Sequence, residues 1–294
     1  VAQSALQHLP RSGLARVDHE TFQVHRLTQA IVRDHAGEAD ATAAEDDVTT
    51  LLAAIAPSDA VDPVGWPTWA ALTSHLTAGL HTAAQHPPLH AILIRAARYL
   101  CVSGQSRATR DLTAALHRLW ITALGEDHPD TLGIAQYLGH ATTDLGTDAA
   151  ARHIIEDTLE RRRRVLGPDH PDTLTSANNL ATTLDSLGEY EQARRLHEDT
   201  IKHRRRILGP DHPETLTSAN NLATTLANLR EFRAAEQILG DARARSRRVL
   251  GENHPDTQRL TENLAQVLTA LGRPFEAHRL RVTGGKKGQR RKRR

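Results

Sequence analysis

The residues in this chain best placed to do chemistry are histidines beside carboxylates. The sequence reads Asp-His-Pro at His128, His170 and His212 and Asn-His-Pro at His254, and each proline is followed by an acid: Asp130, Asp172, Glu214 and Asp256. Imidazole with carboxylate can ligate a metal or shuttle a proton. A helical zinc site, however, pairs two histidines at i and i+4, whereas these stand far apart in the chain, each directly before a proline. Proline in a first helical turn with an acid beside it favours a helix start instead. No nucleophile, base and oxyanion donor converge anywhere in the sequence. The chain is therefore expected to be non-catalytic and to need neither metal nor cofactor.

The histidines keep time with a longer pattern. Gly125, Gly167, Gly209 and Gly251 recur at one constant interval, and the stretch from Gly167 to Leu208 shares 24 identities with the stretch from Gly209 to Leu250. Such self-similarity marks a repeat array. Within a unit, a first helix is expected from Pro171 to the Leu187-Gly188 break and a second over about 189–208, ending in Arg204, Arg205 and Arg206. One helix pair cannot bury its apolar stripe alone, so neighbours must stack on it. Aromatic residues are 3% of the chain and methionine is absent, which leaves Ala, Leu, Ile and Val to build the core and favours helices over sheet.

Leu180, Ala181, Leu184, Gly188, Tyr190 and Ala193 fall in the order and spacing of the tetratricopeptide (TPR) signature, and the 42-residue period resembles the longer repeats of kinesin light chains and their bacterial relatives. The resemblance covers Gly125 to about Val282. It is weakest in the last unit, where Pro274 replaces the aromatic that opens the second helix, and a degenerate pair over about 89–124 is expected to cap the array. It implies an all-α fold, a right-handed TPR superhelix of the α-solenoid type.

On the first helix of a unit, Ala177, Leu180, Ala181 and Leu184 define a packing face. Thr175, Asn179, Thr182 and Ser186 define another. The repeat sets Thr217, Asn221, Thr224 and Asn228 beside these, continues with Arg259, Asn263, Gln266 and Ala270, and begins with Gly133, Tyr137, His140 and Asp144. The resemblance implies that this second stripe lines a concave surface, where an asparagine at the position of Asn179 holds the backbone of an extended peptide. A side-chain amide suits that task because it both donates and accepts. Candidate partner-binding residues are thus Tyr137, Thr175, Asn178, Asn179, Thr182, Thr217, Asn220, Asn221, Thr224, Asn228, Arg259, Asn263 and Gln266. The alternative is that the asparagines solvate the surface or bond to a neighbouring helix.

The formal net charge of +2 hides an asymmetry, because residues 284–294 carry seven positive charges and no negative ones, which leaves 2 − 7 = −5 for the remainder. This tail is expected to be disordered. The arginines at 161–164 and 204–206 read as solvated cations at helix ends. Together with the tail they offer an alternative function, nucleic-acid binding, although no aromatic platform is interleaved with them. The single Cys101 forms no internal disulfide and fits a reducing cytosol, so a cytoplasmic location is expected. No apolar run is long enough to span a bilayer, and no membrane partner is expected.

At the other end, residues 13–35 read as a short hairpin around His19-Glu20 and then a helix from about His25. Phe22, Val24, His25, Arg26, Leu27, Gln29, Val32 and Arg33 resemble the end of the winged-helix region that follows the nucleotide-binding domain in bacterial STAND-type (NB-ARC-like) NTPases of actinobacteria. This implies an NTPase domain upstream of Val1 and an intramolecular contact with it, since no phosphate-binding loop occurs in this chain. A start on valine without any methionine fits a fragment. The expected organisation is a winged-helix remnant (1–37), an Ala-rich helical linker with Trp66 and Trp69 at a packed helix start (38–86), the repeat array (87–283) and the basic tail (284–294).

Overall fold

A computed structural model describes residues 15–17, 22–24, 52, 54–78, 80–146 and 148–290. Strands β1 (Ala15–Val17) and β2 (Phe22–Val24) pair antiparallel, with Arg16 opposite Gln23. They form the expected hairpin; the helix expected from His25 lies outside the described residues. After a 3-10 turn at Pro63–Gly65, the described chain is helical: α1 (Trp66–Ala78), α2 (Leu80–Gln85), α3 (Pro87–Val102), α4 (Ser106–Leu124), α5 (Pro129–Asp144), α6 (Asp148–Val165), α7 (Pro171–Ser186), α8 (Tyr190–Ile207), α9 (Pro213–Asn228), α10 (Phe232–Val249), α11 (Pro255–Ala270) and α12 (Pro274–Arg290).

The Asp-His-Pro motif explains where the first helices begin. His128, His170, His212 and His254 are N-caps in extended conformation, and the Nδ1 of each accepts from the backbone N–H two residues on, at 3.2 Å in every copy. Proline follows at the first helical position, where its missing N–H is no loss. First helices stop at a Leu-Gly turn whose Gly146, Gly188 and Gly272 take positive φ; Arg230 holds the same place at φ 65°, which L side chains rarely adopt.

Each helix packs on the next, and the closest approaches use small residues. Ala181, Ala223 and Ala265 are fully buried at equivalent positions of α7, α9 and α11, and Ala193 and Ala235 play the same part in α8 and α10. The core runs along the array as a chain of clusters. The first joins Trp69, Leu72 and Leu76 of α1 to Ile92 and Leu93 of α3, Leu116 and Trp120 of α4 and Ile134 of α5. Trp69 stacks on Tyr99, so the Trp-bearing helix α1 docks on the start of the array, and Trp120 Nε1 of α4 donates to the Ala84 carbonyl of α2 at 3.0 Å.

The end of the array differs from expectation. The composition of the tail predicts disorder from residue 284, but α12 runs through Gly284 and Gly285 to Arg290. It begins at Pro274, the position one repeat on from Phe232 at the start of α10, so it is the second helix of the fourth unit. Glycine in a helix costs about 1 kcal/mol relative to alanine, a penalty that weakens a helix without forbidding it.

Candidate functional site

The first helices present one long face, built by repetition of one sequence. Beyond the first-turn acids Asp172 and Glu214, the only charged residue in α7 and α9 is Asp185, and its carboxylate turns into the joint between units to accept from Thr225 Oγ1 at 2.6 Å. The second helices carry the charge instead.

The paired asparagines link units side by side. Asn221 Nδ2 donates to Asn178 Oδ1 at 3.2 Å, and Asn263 Nδ2 donates to Asn220 Oδ1 at 2.8 Å. The second Asn of one unit therefore meets the first Asn of the unit before, which gives both copies a use. Asn220 is buried, while Asn178, Asn179, Asn221 and Asn263 are half-buried. At the array start the partner position of Asn179 is Gln136, whose Oε1 instead takes Arg162 Nη1.

The other predicted residues divide into groups. Thr224, Asn228, Asn263 and Gln266 line one groove between α9 and α11, floored by Ala227, Phe232, Leu239 and Val267. Thr217 and Arg259 share a hollow at the opposite, N-terminal end of these helices, and Arg259 is held by Asp256 at 2.9 Å. Thr182 is exposed on the same face. Thr175 is tied down: its hydroxyl donates to the Pro171 carbonyl and accepts from Arg204 Nη2 at 3.2 Å. Tyr137 packs partly buried against the N-terminal cluster, and that burial pushes its phenol pKa up, so it belongs more to the core than to an open surface.

The arginine clusters require a correction. The sequence predicts solvated cations, yet Arg162 and Arg204 are each only 3% exposed. Arg162 donates to Gln136 Oε1, Ser176 Oγ and the Asp172 and Leu132 carbonyls; Arg204 donates to Ser218 Oγ, Thr175 Oγ1 and the Glu214 carbonyl. Burial pulls both guanidinium pKa values down, and Asp172 and Glu214 respectively oppose this. Each arginine thus clamps the first helix of the following unit. The signal was present in the sequence: Ala193, His197, Ile201 and Arg204 are spaced 4, 4 and 3, which is the inward stripe of α8, and the repeat puts Trp120 and Ser246 at the same position as the two arginines. Their neighbours are paired outside. Asp127 is held by Arg161 and Arg164, Asp169 by His203 and Arg206, and Asp211 by Arg245 and Arg248. These partners, led by Arg164, Arg206 and Arg245, hold the three carboxyl groups below the ordinary aspartate value. Five of the seven helix-end arginines proposed for nucleic acid, Arg161, Arg162, Arg164, Arg204 and Arg206, are therefore committed within the fold.

One constellation has the residue types of a thiol nucleophile. Cys101 Sγ lies 3.6 Å from His140 Nδ1, which lies 3.3 Å from Asp144 Oδ2. Burial, with Asp144 adding, pushes the Cys101 thiol up to about 11, and one ring nitrogen faces both partners. That is the reverse of an activated thiolate.

Comparison with known proteins agrees with this architecture. Residues 131–206 and residues 215–256 match family models of the tetratricopeptide repeat. Curated proteins gave no match. Among solved structures, a protein of nearly identical TPR-like repeats from Podosopora anserina, described as a kinesin light chain, aligns with a TM-score of 0.59 at 23% identity, over 71% of this chain and 99% of that one. BtubC (BKLC) from P. vanneervenii aligns with a TM-score of 0.64 at 19% identity, over 78% of this chain and 93% of that one. At such identities the likeness is one of fold, and the chain carries tetratricopeptide repeats in an α-solenoid similar to kinesin-light-chain-type structures.

Proposed function

We propose that this chain is an interaction scaffold that holds a protein or peptide partner on the first-helix face of its array. Tetratricopeptide repeats are in general protein-interaction modules. The observation that carries the proposal here is the segregation of charge: a continuous hydroxyl and amide face on α7 and α9, in a chain whose residues are 24% charged. A large face kept free of charge across successive units suits contact with another chain. The test is capture from native lysate by the full chain and by a Thr182→Arg, Thr224→Arg variant, two positions on that face. A partner retained by the wild type and lost by an equally stable variant supports the proposal. Equal retention by both moves the contact to the second helices or the basic end.

The antiparallel pairing of β1 and β2 supports a finer proposal, that the array is the cytoplasmic sensor arm of a signalling NTPase, with partner capture altering its contact with an upstream domain. Immunoblotting of the native cells decides this. A product much larger than 32.3 kDa that binds ATP supports the sensor arm; a product of that mass sinks it. Among the described residues, no helix is long and apolar enough to cross a membrane.

A further inference from the structure

Of the seven arginines at the ends of α6 and α8, two have no partner among the described residues: Arg163 and Arg205, both exposed. They stand one repeat apart, and the next repeat places Arg247 at the same position, exposed and no nearer than 3.7 Å to Glu252. The adjacent row, Arg164, Arg206 and Arg248, is spent on Asp127, Asp169 and Asp211. Repetition therefore keeps one arginine of α6, α8 and α10 out of the ion pairs that occupy its neighbour. A guanidinium that recurs at each step without a fold contact is open to a carboxylate from another chain.

The middle arginine of the three borders a cavity. Arg205 and Lys202, which is likewise exposed and unpartnered among the described residues, line a shallow hollow of about 580 Å³ against α8. The rest of its lining is Glu198, Ile201 and Arg206 of the same helix and Leu222 of α9. Ile201 and Leu222 are each 5% exposed and form the floor. Glu198 is spent on Arg194 at 2.9 Å, and Arg206 on Asp169. Two uncommitted cations thus stand beside an apolar floor.

These features favour a protein segment over a nucleic acid. A phosphodiester chain carries a charge at every residue and would meet Glu198 on the rim and Glu160, which holds the place of Lys202 one repeat before. The described lining includes no aromatic ring on which a base could stack. A peptide, by contrast, can space its carboxylates and set an apolar residue between them. Apolar contact within a polar rim is the usual anatomy of a protein interface.

We infer that this face of α8 docks an acidic segment of a partner protein, with carboxylates on Lys202 and Arg205 and one apolar side chain seated on Ile201 and Leu222. Arg163 and Arg247 extend the contact to acids farther along the same segment. The surface is separate from the uncharged first-helix face and does not depend on it.

The test passes a displayed random peptide library over a Lys202→Gln, Arg205→Gln variant to remove peptides that bind elsewhere, then selects on the wild-type full chain. Both side chains are exposed and without fold contacts, so the variant should melt at the wild-type temperature. The enriched peptides are expected to set acids around an apolar residue. By fluorescence anisotropy, a synthetic copy should bind the variant roughly three- to tenfold more weakly, since two exposed pairs are lost. Serine in place of its apolar residue should cost about tenfold. Raising salt should weaken it severalfold, and the Thr182→Arg, Thr224→Arg variant should bind it as tightly as the wild type. No enrichment, or enriched peptides without acids, overturns the inference and leaves the scaffold proposal standing. A peptide lost with Thr182→Arg, Thr224→Arg sits on the first-helix face, which overturns this site and supports that proposal. An oligothymidylate bound more tightly than the peptide, and released by Lys202→Gln, Arg205→Gln, makes the surface a nucleic-acid site and overturns the acidic-segment inference.

Discussion

The two helices of a unit have been kept alike to very different degrees. Between α7 and α9, 13 of 16 positions are identical; between α8 and α10, 4 of 18 are. The near-copies present the uncharged face and carry the asparagine ladder. The second helices carry the charge and one buried joint position, filled by Trp120, Arg162, Arg204 and Ser246 in turn, of which the last three bond to the following first helix. A surface built by repetition needs the same residue at each step, since each Asn must meet its counterpart one unit away. A joint needs only to be filled and satisfied, so several chemistries serve.

The largest loss is expected at the joint between units. Arg204→Ala should destabilise the protein by about 3 kcal/mol in chemical denaturation, since it empties a buried volume and strips partners from Ser218 and Thr175. Arg204→Ser sharpens the point. In the next unit Ser246 Oγ lies 2.7 Å from Thr257 Oγ1, whereas the equivalent Thr215 Oγ1 is buried without a partner. Serine at 204 can supply that partner, so it should cost measurably less than alanine; equal losses would refute the equivalence of the joints.

A smaller effect is expected where a near-copy departs from its siblings. Gly139 occupies the position of Ala181, Ala223 and Ala265, and a Cβ there would stand 2.4 Å from Ile155 Cγ1. Gly139→Ala, although it restores the common residue, should cost about 1–3 kcal/mol by overpacking, and Ile155→Ala beside it should relieve the clash. Stabilisation by the single substitution would show that this joint has slack.

On the ladder, Asn221→Ala removes one neutral hydrogen bond and should cost about 1 kcal/mol. A double-mutant cycle with Asn178→Ala checks that the loss belongs to the pair; additive losses would mean that the rung contributes nothing.

The smallest effect concerns the outer charges. Asp127, Asp169 and Asp211 have folded pKa values held below the ordinary 3.8, so their contribution is present above that value and is lost as pH falls through the depressed ones. The melting temperature should therefore fall between about pH 4 and pH 2, and Asp169→Asn should make that fall shallower. These pairs are exposed and screened, so raising salt at neutral pH should shift the melting temperature little.

Much of this was legible before any coordinates. The 42-residue period, Pro171 in a first turn and the Leu187-Gly188 stop located both helices of a unit, because caps and breaks are local chemistry. The candidate stripe was legible too, and Thr224, Asn228, Asn263 and Gln266 do meet in one groove. Its floor was missed, because Phe232 and Leu239 sit on a different helix from the stripe and helical spacing says nothing about a neighbour's side chains. The buried arginines were missed because a run of cations reads as surface, although position 204 falls on the inward stripe of α8. The tail was misjudged because its composition outweighed its register with α10.

The sequence by itself determined the unit, its two helices and the face that recurs, since all three follow from periodicity and from bonds spanning a few residues. Only the tertiary structure decided how that face is wired. Whether an asparagine amide serves a ligand or a neighbour, and whether an arginine is solvated or clamps a joint, depends on atoms some 10 to 43 residues away in the chain. The distance at which those atoms meet is set by stacking, which no local pattern encodes.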